Sequence, residues 1–96
     1  MDSQIRISDL ESIISDKVFI KIEKWNLYLG AAGLARHLAI ECISNKDQAP
    51  LEAAKLSLKA INVKIGDGVD SIPLIKLITN SQILEFEEIL ESFFKN

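Results

Sequence analysis

Residues 61–78 read INVKIGDGVDSIPLIKLI, and this stretch decides the fold class. Its first five residues alternate strictly between apolar and polar, a period of two that is typical of a half-buried strand. The Gly-Asp-Gly that follows suits a tight turn, because glycine accepts the positive φ that short hairpin loops require. A second apolar run covers residues 72–78. The stretch therefore predicts an antiparallel β-hairpin.

Pro73 allows two interpretations of the second apolar run. Proline has no N–H to donate to a sheet, so it either places the second strand at an edge or opens a short helical segment over residues 73–78. The sequence favours the strand.

Three segments outside the hairpin carry helix signals. A serine-to-glutamate capping box predicts a short helix from Asp9 to Ser15. Pro50 suits the first turn of a helix that runs to about Ala60. Thr79 and Gln82 fit a second capping box, which opens a C-terminal helix ending near Lys95.

Residues 23–43 are predicted to form the central helix. Apolar side chains recur there at spacings of three and four, and further leucines lie off that stripe, so the helix is apolar around much of its circumference. Gly30 and Gly33 each cost about 1 kcal/mol of helix propensity relative to alanine. We therefore expect another backbone to approach closely at these glycines.

The residues before this helix are ambiguous. The β-branched and aromatic side chains of residues 18–22 favour a strand, whereas Asp16 is equally suited to cap a helix that runs onward. The sequence analysis favours helix here. Together the segments predict an α+β domain over residues 1–96, with three or four helices packed on a small antiparallel hairpin or sheet.

Composition excludes several classes of function. The eleven basic residues are dispersed and the net charge is −3, so no basic cluster suited to nucleic acid is present. The longest apolar run, residues 27–35, is far shorter than the roughly 20 residues that span a bilayer. One cysteine and no basic, apolar leader predict a cytoplasmic protein without membrane partners.

Few side chains suggest chemistry. His37 and Glu41 are four apart on the predicted central helix, a spacing that suits two ligands or a surface ion pair, and the ion pair is the simpler interpretation. With one histidine and one cysteine, no metal or cofactor is expected. Cys42 lies in the apolar stripe and is expected to be a small buried hydrophobe.

Aromatic and acidic residues provide the best candidates for a binding surface. Trp25 and Tyr28 lie one predicted helical turn apart, and both residue types are common in protein interfaces. Phe93 and Phe94 end the C-terminal helix with one aromatic more than a single stripe needs, so Phe94 either closes the core or joins an interface. The acidic stretch over residues 85–91 is either a solvated face or a site for a basic partner.

Four short segments occur in the order and at the spacing of a known family: Val18-Phe19-Ile20, Lys24-Trp25-x-Leu27-Tyr28-Leu29, Val63-Lys64-Ile65-Gly66-x-Gly68 and Ile72-Pro73-Leu74-Ile75-x-Leu77-Ile78. In these segments the chain resembles a small family of uncharacterised cyanobacterial proteins. Asn26 and Asp67 depart from the family pattern, which more often has histidine and glycine there. The resemblance implies an α+β fold, a cyanobacterial cytosol and no assigned activity.

These observations favour a non-enzymatic interaction or assembly domain. A chain of this size buries only about two-thirds of its unfolded surface and gains burial by oligomerisation, so a homodimer is expected, together with an unidentified protein partner. The contact face is predicted at Trp25, Tyr28, Phe93 and Phe94. The alternative is a small-ligand or metal-binding domain with its site near Asn26, His37 and Glu41.

Overall fold

The computed structural model describes residues 2–22, 25–65 and 70–95. Within them the helices are Asp2–Lys17 (α1), Leu29–Ala32 (α2), Ala35–Ser44 (α3), Pro50–Ala60 (α4) and Asn80–Lys95 (α5). The strands are Phe19–Ile22 (β1), Trp25–Tyr28 (β2), Asn62–Ile65 (β3) and Asp70–Pro73 (β4), and a 3₁₀ helix covers Leu74–Leu77. The predicted α+β fold is confirmed.

The strands form two separate antiparallel hairpins. In the first, Phe19 pairs with Tyr28 at the open end. In the second, Asn62 pairs with Pro73 and Ile65 with Asp70, so the hairpin predicted from residues 61–78 is confirmed. Its predicted Gly-Asp-Gly turn lies outside the described residues. The sequence analysis predicted one hairpin and missed the first.

The prediction of helix for residues 18–22 is wrong, and so is the single helix over residues 23–43. Phe19–Ile22 and Trp25–Tyr28 form the paired strands β1 and β2 instead. Their pairing buries Ile20 and places the Phe19 ring 5.2 Å from the Tyr28 ring. Gly33 then ends α2 with a φ of 75°, a left-handed conformation that suits glycine. The predicted helix is confirmed over Ala35–Ser44, as α3.

Gly30 shows the close approach that the sequence predicted. A Cβ atom added at Gly30 would lie 2.7 Å from the Cβ of Ser15 and 3.1 Å from its Cα. A side chain at this position would therefore push α2 away from α1.

Two boundaries differ from the predictions. α1 begins at Asp2, well before the predicted Asp9, because the supposed capping box lies on the exposed face of a longer helix whose buried face includes Leu10 and Ile14. The favoured strand over residues 73–78 is also wrong beyond Pro73. The Leu74 N–H donates to the Ile61 carbonyl at 2.8 Å, and a buried 3₁₀ turn starts there.

The longer helices pack in a series. α1 packs on α3, α3 on α4, and α4 on α5. The fully buried side chains at the centre of the core are Leu10, Ile14, Leu29, Leu38, Leu58, Leu74, Phe86 and Leu90. α1 and α5 are the first and last helices of this series, and side chains of both line an open groove between them.

Candidate functional site

An open groove of about 870 Å³ lies between α1 and α5. We call it the α1–α5 groove. Both flanking helices are 16 residues long, and β2 contributes one residue at the edge. The lining residues are Ile13, Asp16, Lys17, Tyr28, Glu85, Glu88, Ile89, Ser92 and Phe93.

Two contacts of α5, one with α1 and one with β1, lie beside the two ends of the groove. At one end the guanidinium carbon of Arg6 lies 4.9 Å from the centre of the Phe93 ring, a cation–π contact. At the other end the Phe19 N–H donates to Oε1 of Gln82 at 3.1 Å. The start of one helix thus lies near the end of the other. The lining residues of α5 run from Glu85 to Phe93, which is about 12 Å at 1.5 Å per helical residue.

Two further hydrogen bonds hold Gln82 in position at this end of the groove. Its backbone N–H donates to Oγ1 of Thr79 at 3.2 Å, which confirms the predicted cap of α5. Its side-chain Nε2 donates to Oε2 of Glu85 at 3.3 Å. In a full capping box the Gln82 side chain would accept a hydrogen bond from the backbone N–H of Thr79. Here Oε1 of Gln82 accepts from the Phe19 N–H instead, so Gln82 joins the first hairpin to α5.

Helical spacing explains which side chains line the groove. Counted from Glu85, the residues Glu88, Ile89, Ser92 and Phe93 lie three, four, seven and eight positions along the chain, which is one face of an α-helix. Half-buried Ile13, Ile89 and Phe93 form an apolar floor.

Exposed charged residues border this floor. Asp16, Glu85 and Glu88 form an acidic rim, and Lys17 is the basic residue of the lining. Because three carboxylates stand against one ammonium group, the groove offers a negative border around an apolar centre.

The structure brings two of the four predicted interface residues to this groove. Tyr28 lies at its edge, 40% exposed, with its ring tilted by 52° against Phe19. Phe93 forms part of the floor. Phe94 meets Phe93 edge to face at 5.6 Å and is partly buried against the core, so it helps to close the core. Trp25 lies in β2, and its side chain is outside the described part of the structure.

The residues of the predicted ligand site do not share a helix. Asn26 lies in β2, whereas His37 and Glu41 lie on α3, so the single predicted helix that would have carried all three residues is wrong. Nε2 of His37 and Oε2 of Glu41 are 3.7 Å apart at the surface, which matches the ion-pair interpretation. Among the described residues, no group of three histidine, cysteine or acidic side chains could hold a metal ion.

Cys42 is fully buried between α3 and α4, as predicted. Burial raises the pKa of its thiol to about 12, and the Glu41 charge adds to this, against a lowering by the hydrogen bond with Ser57. The thiol therefore stays protonated at neutral pH and packs as a small apolar group.

Sequence reasoning missed the α1 wall of the groove. Ile13 falls within the helix predicted from Asp9 to Ser15 but was not singled out there as a binding residue, and Asp16 was considered only as a possible cap. On α5 the signal was present, because the acidic stretch and Ile89 widen the face next to Phe93. What the sequence lacked was any sign that these two helices face each other.

Comparisons with known proteins place the chain among relatives. None of the helices in the described residues is long and apolar enough to cross a membrane. The chain is 28% identical over 89 residues to thylakoid-associated protein slr0729 of Synechocystis sp. (strain ATCC 27184 / PCC 6803 / Kazusa), which covers 91% of this chain and 88% of that protein. No solved structure matches it.

The family of the chain follows from a match to a family model over nearly the whole sequence. Residues 7–93, from within α1 to the last turns of α5, match the family described as "Protein of unknown function (DUF3181)". This range includes every residue that lines the α1–α5 groove. The resemblance found in the sequence is thereby confirmed, and the chain belongs to the DUF3181 family.

Proposed function

We propose that this protein is a non-enzymatic interaction domain that binds a helical segment of a partner protein in the α1–α5 groove. The observation that carries the proposal is the groove itself, with Tyr28 at its edge and Phe93 in its floor. Aromatic side chains that are accessible in a concave apolar surface are typical anchors of protein interfaces.

The dimensions of the groove suit a helix. Its length of about 12 Å along α5 corresponds to about two turns of an α-helix. Two antiparallel helices with apolar side chains between them resemble the grooves in which proteins bind amphipathic helices. A partner helix would cover Ile13 and Ile89, which are only half-buried in the free chain.

The open shape of the groove favours a macromolecular partner over a small ligand. Small-molecule sites bury most of the ligand surface, about 70–90%, in an enclosed cavity. Here charged, exposed side chains border the floor on both helices. The small-ligand alternative near His37 and Glu41 stays a prediction, with its own test in the Discussion.

The proposal includes the location of the protein in the cell. The Synechocystis relative is a thylakoid-associated protein by name, and similarity runs along nearly all of both chains. We place the present chain at the cytoplasmic surface of thylakoid membranes, held there by a protein partner. The acidic rim supports attachment through protein, because it would be repelled by anionic lipid headgroups.

A homodimer through the groove is disfavoured. A symmetric dimer places the same patch of both copies in contact, so the acidic rims would face each other. A dimer through another face stays a prediction. Native mass spectrometry tests it, since a dimer mass that survives the change Glu88→Lys would place the contact outside the groove.

Photo-crosslinking in living cells tests the proposed function. A photo-crosslinking amino acid replaces Glu88 in the groove or Glu91, an exposed acidic residue of the same helix outside the groove lining, and cells of a cyanobacterium that express each variant are illuminated. We expect a protein adduct of defined mass from position 88, retained in the thylakoid fraction, and none from position 91. Equal adducts at both positions, or lipid adducts at position 88, would contradict the proposal.

A further inference from the structure

We infer that the partner segment is a basic amphipathic helix, whose apolar stripe covers the floor of the α1–α5 groove and whose lysines or arginines face the acidic rim. This inference rests on the proposed function and adds the chemistry of the partner. Charge complementarity between the rim and the partner carries it.

The rim carries its net negative charge on the α5 side of the groove, because Asp16 and Lys17 on α1 offset each other. Asp16 lies on α1, whereas Glu85 and Glu88 lie on α5. A helix seated between them meets two carboxylates on its α5 flank and a carboxylate beside an ammonium group on its α1 flank. Lys17 also lines the groove, but the carboxylates outnumber it. Exposed charge pairs add little affinity one by one, yet complementary charges choose the partner and raise its rate of association.

The floor selects for an apolar stripe. Ile13 reaches the groove from α1 and Ile89 and Phe93 from α5, which leaves a narrow apolar track between the charged borders. A bound helix matches such a track with apolar residues at positions i, i+3 or i+4, and i+7. Basic residues on either side of that stripe then reach the rim.

Other occupants fit the charges less well. A second copy of this chain carries a net charge of −3, and nucleic acid and anionic lipid are also negative. Each would bring like charge to the rim, which is unfavourable. An acidic or neutral helix would cover the floor but leave the rim without a partner.

Titration with two synthetic peptides tests the inference. One is an amphipathic helix of about four turns with leucines on one face and lysines on the other, and the second has glutamates in place of the lysines. Each carries a fluorescent label, and anisotropy reports binding to the full chain. We expect the lysine peptide to bind at least about tenfold more tightly, with an affinity that falls as salt rises.

Two matched variants locate the site. Glu88→Lys reverses a charge on the rim, and Glu91→Lys makes the same change at an exposed position of α5 outside the groove lining. We expect Glu88→Lys to weaken the lysine peptide about tenfold and Glu91→Lys to change its affinity less than about twofold. Circular dichroism checks that both variants fold.

The outcomes separate the inference from the proposed function. Equal binding of the two peptides, or equal loss in the two variants, would overturn the inference. Absence of peptide binding together with a protein adduct at position 88 would overturn the basic-helix chemistry and leave the interaction role standing. Absence of both peptide binding and adduct would overturn both.

Discussion

The two sides of this molecule differ in how their helices meet. Between α3 and α4 the contact is closed, because Ala39, Ala53 and Ala54 are fully buried and their small side chains allow close approach. Nδ2 of Asn45 donates to Oγ of Ser57 at 3.3 Å and to the Glu41 carbonyl at 2.9 Å. Between α1 and α5 the facing side chains are large or charged, and a groove remains.

The difference shows where binding is available in so small a fold. Small side chains let two helices pack until their surfaces are covered, whereas charged ones keep their hydration and hold the helices apart. The closed side supplies stability. The open side leaves half-buried apolar residues that a partner can cover, and the following changes test this division.

Leu38→Ala is expected to have the largest effect. Leu38 is completely buried on α3, so truncation leaves a cavity and lowers the free energy of unfolding by about 2–5 kcal/mol. The control is Leu84→Ala on α5, where the leucine is 55% exposed and the expected loss is below about 0.5 kcal/mol. Urea unfolding measures both. Similar losses in the two variants would contradict the assignment of the core.

Gly30→Ala tests how firmly α1 is seated. The new Cβ would meet Ser15 at 2.7 Å, so α1 and α2 must separate, and we expect a loss of about 1–3 kcal/mol. Ser15→Gly removes the opposing Cβ, so the double variant should recover part of the loss. The coupling measured in this double-mutant cycle should exceed about 0.5 kcal/mol.

Gly33→Ala is the control for Gly30→Ala. Its φ of 75° costs an alanine about 1–2 kcal/mol, but no heavy atom of the described residues lies within 4 Å of the new Cβ. Ser15→Gly should therefore add to this loss without coupling. Absence of coupling at Gly30 as well would show that α1 does not rest on α2 as described.

Burial of Cys42 makes the free energy of unfolding depend on pH. Its pKa is about 12 in the folded chain against an ordinary value of 9.0, so above pH 9 the unfolded chain loses the thiol proton first. Stability from the buried thiol is complete below pH 9 and falls by about 1 kcal/mol per pH unit up to about pH 12. Urea unfolding of wild type and Cys42→Ala from pH 8 upward, in roughly half-unit steps, measures the difference. Parallel curves would contradict the burial of the thiol.

His37→Ala is expected to have the smallest effect. The pair with Glu41 is exposed at the surface, so its loss should change stability by less than about 0.5 kcal/mol. The same variant tests the ligand alternative. Metal analysis and native mass spectrometry of protein purified from its host should be identical for wild type and variant, and a bound mass that disappears with His37 would revive that alternative.

Local signals predicted the parts of the fold that depend on neighbouring residues. Thr79 caps α5, Pro50 opens α4, and alternation marks the second hairpin, since each of these signals lies within a few positions of the structure it causes. The first hairpin was missed because Val18, Phe19 and Ile20 are consecutive apolar residues, so no alternation distinguishes a strand from a helix there. Trp25 and Tyr28 are three apart, a spacing that also fits a helix.

The groove could not be predicted from the sequence, for a different reason. It depends on the distance between α1 and α5, which are far apart in the chain and are positioned by the helices packed between them. The acidic stretch on α5 was open to two interpretations, a solvated face or a site for a basic partner, and Tyr28 and Phe93 were chosen as interface candidates. Their meeting on one surface is a property of the tertiary structure.

The central claim is that binding occurs on the open side and leaves the closed side unchanged. The most direct test is a ¹H–¹⁵N correlation spectrum of the full chain, recorded while the lysine peptide is added. The account predicts shifts that follow the concentration of peptide at Ile13–Lys17 and Glu85–Phe93, with little change over Ala35–Ser44. Shifts centred on α3 and α4, or spread evenly over the chain, would contradict it.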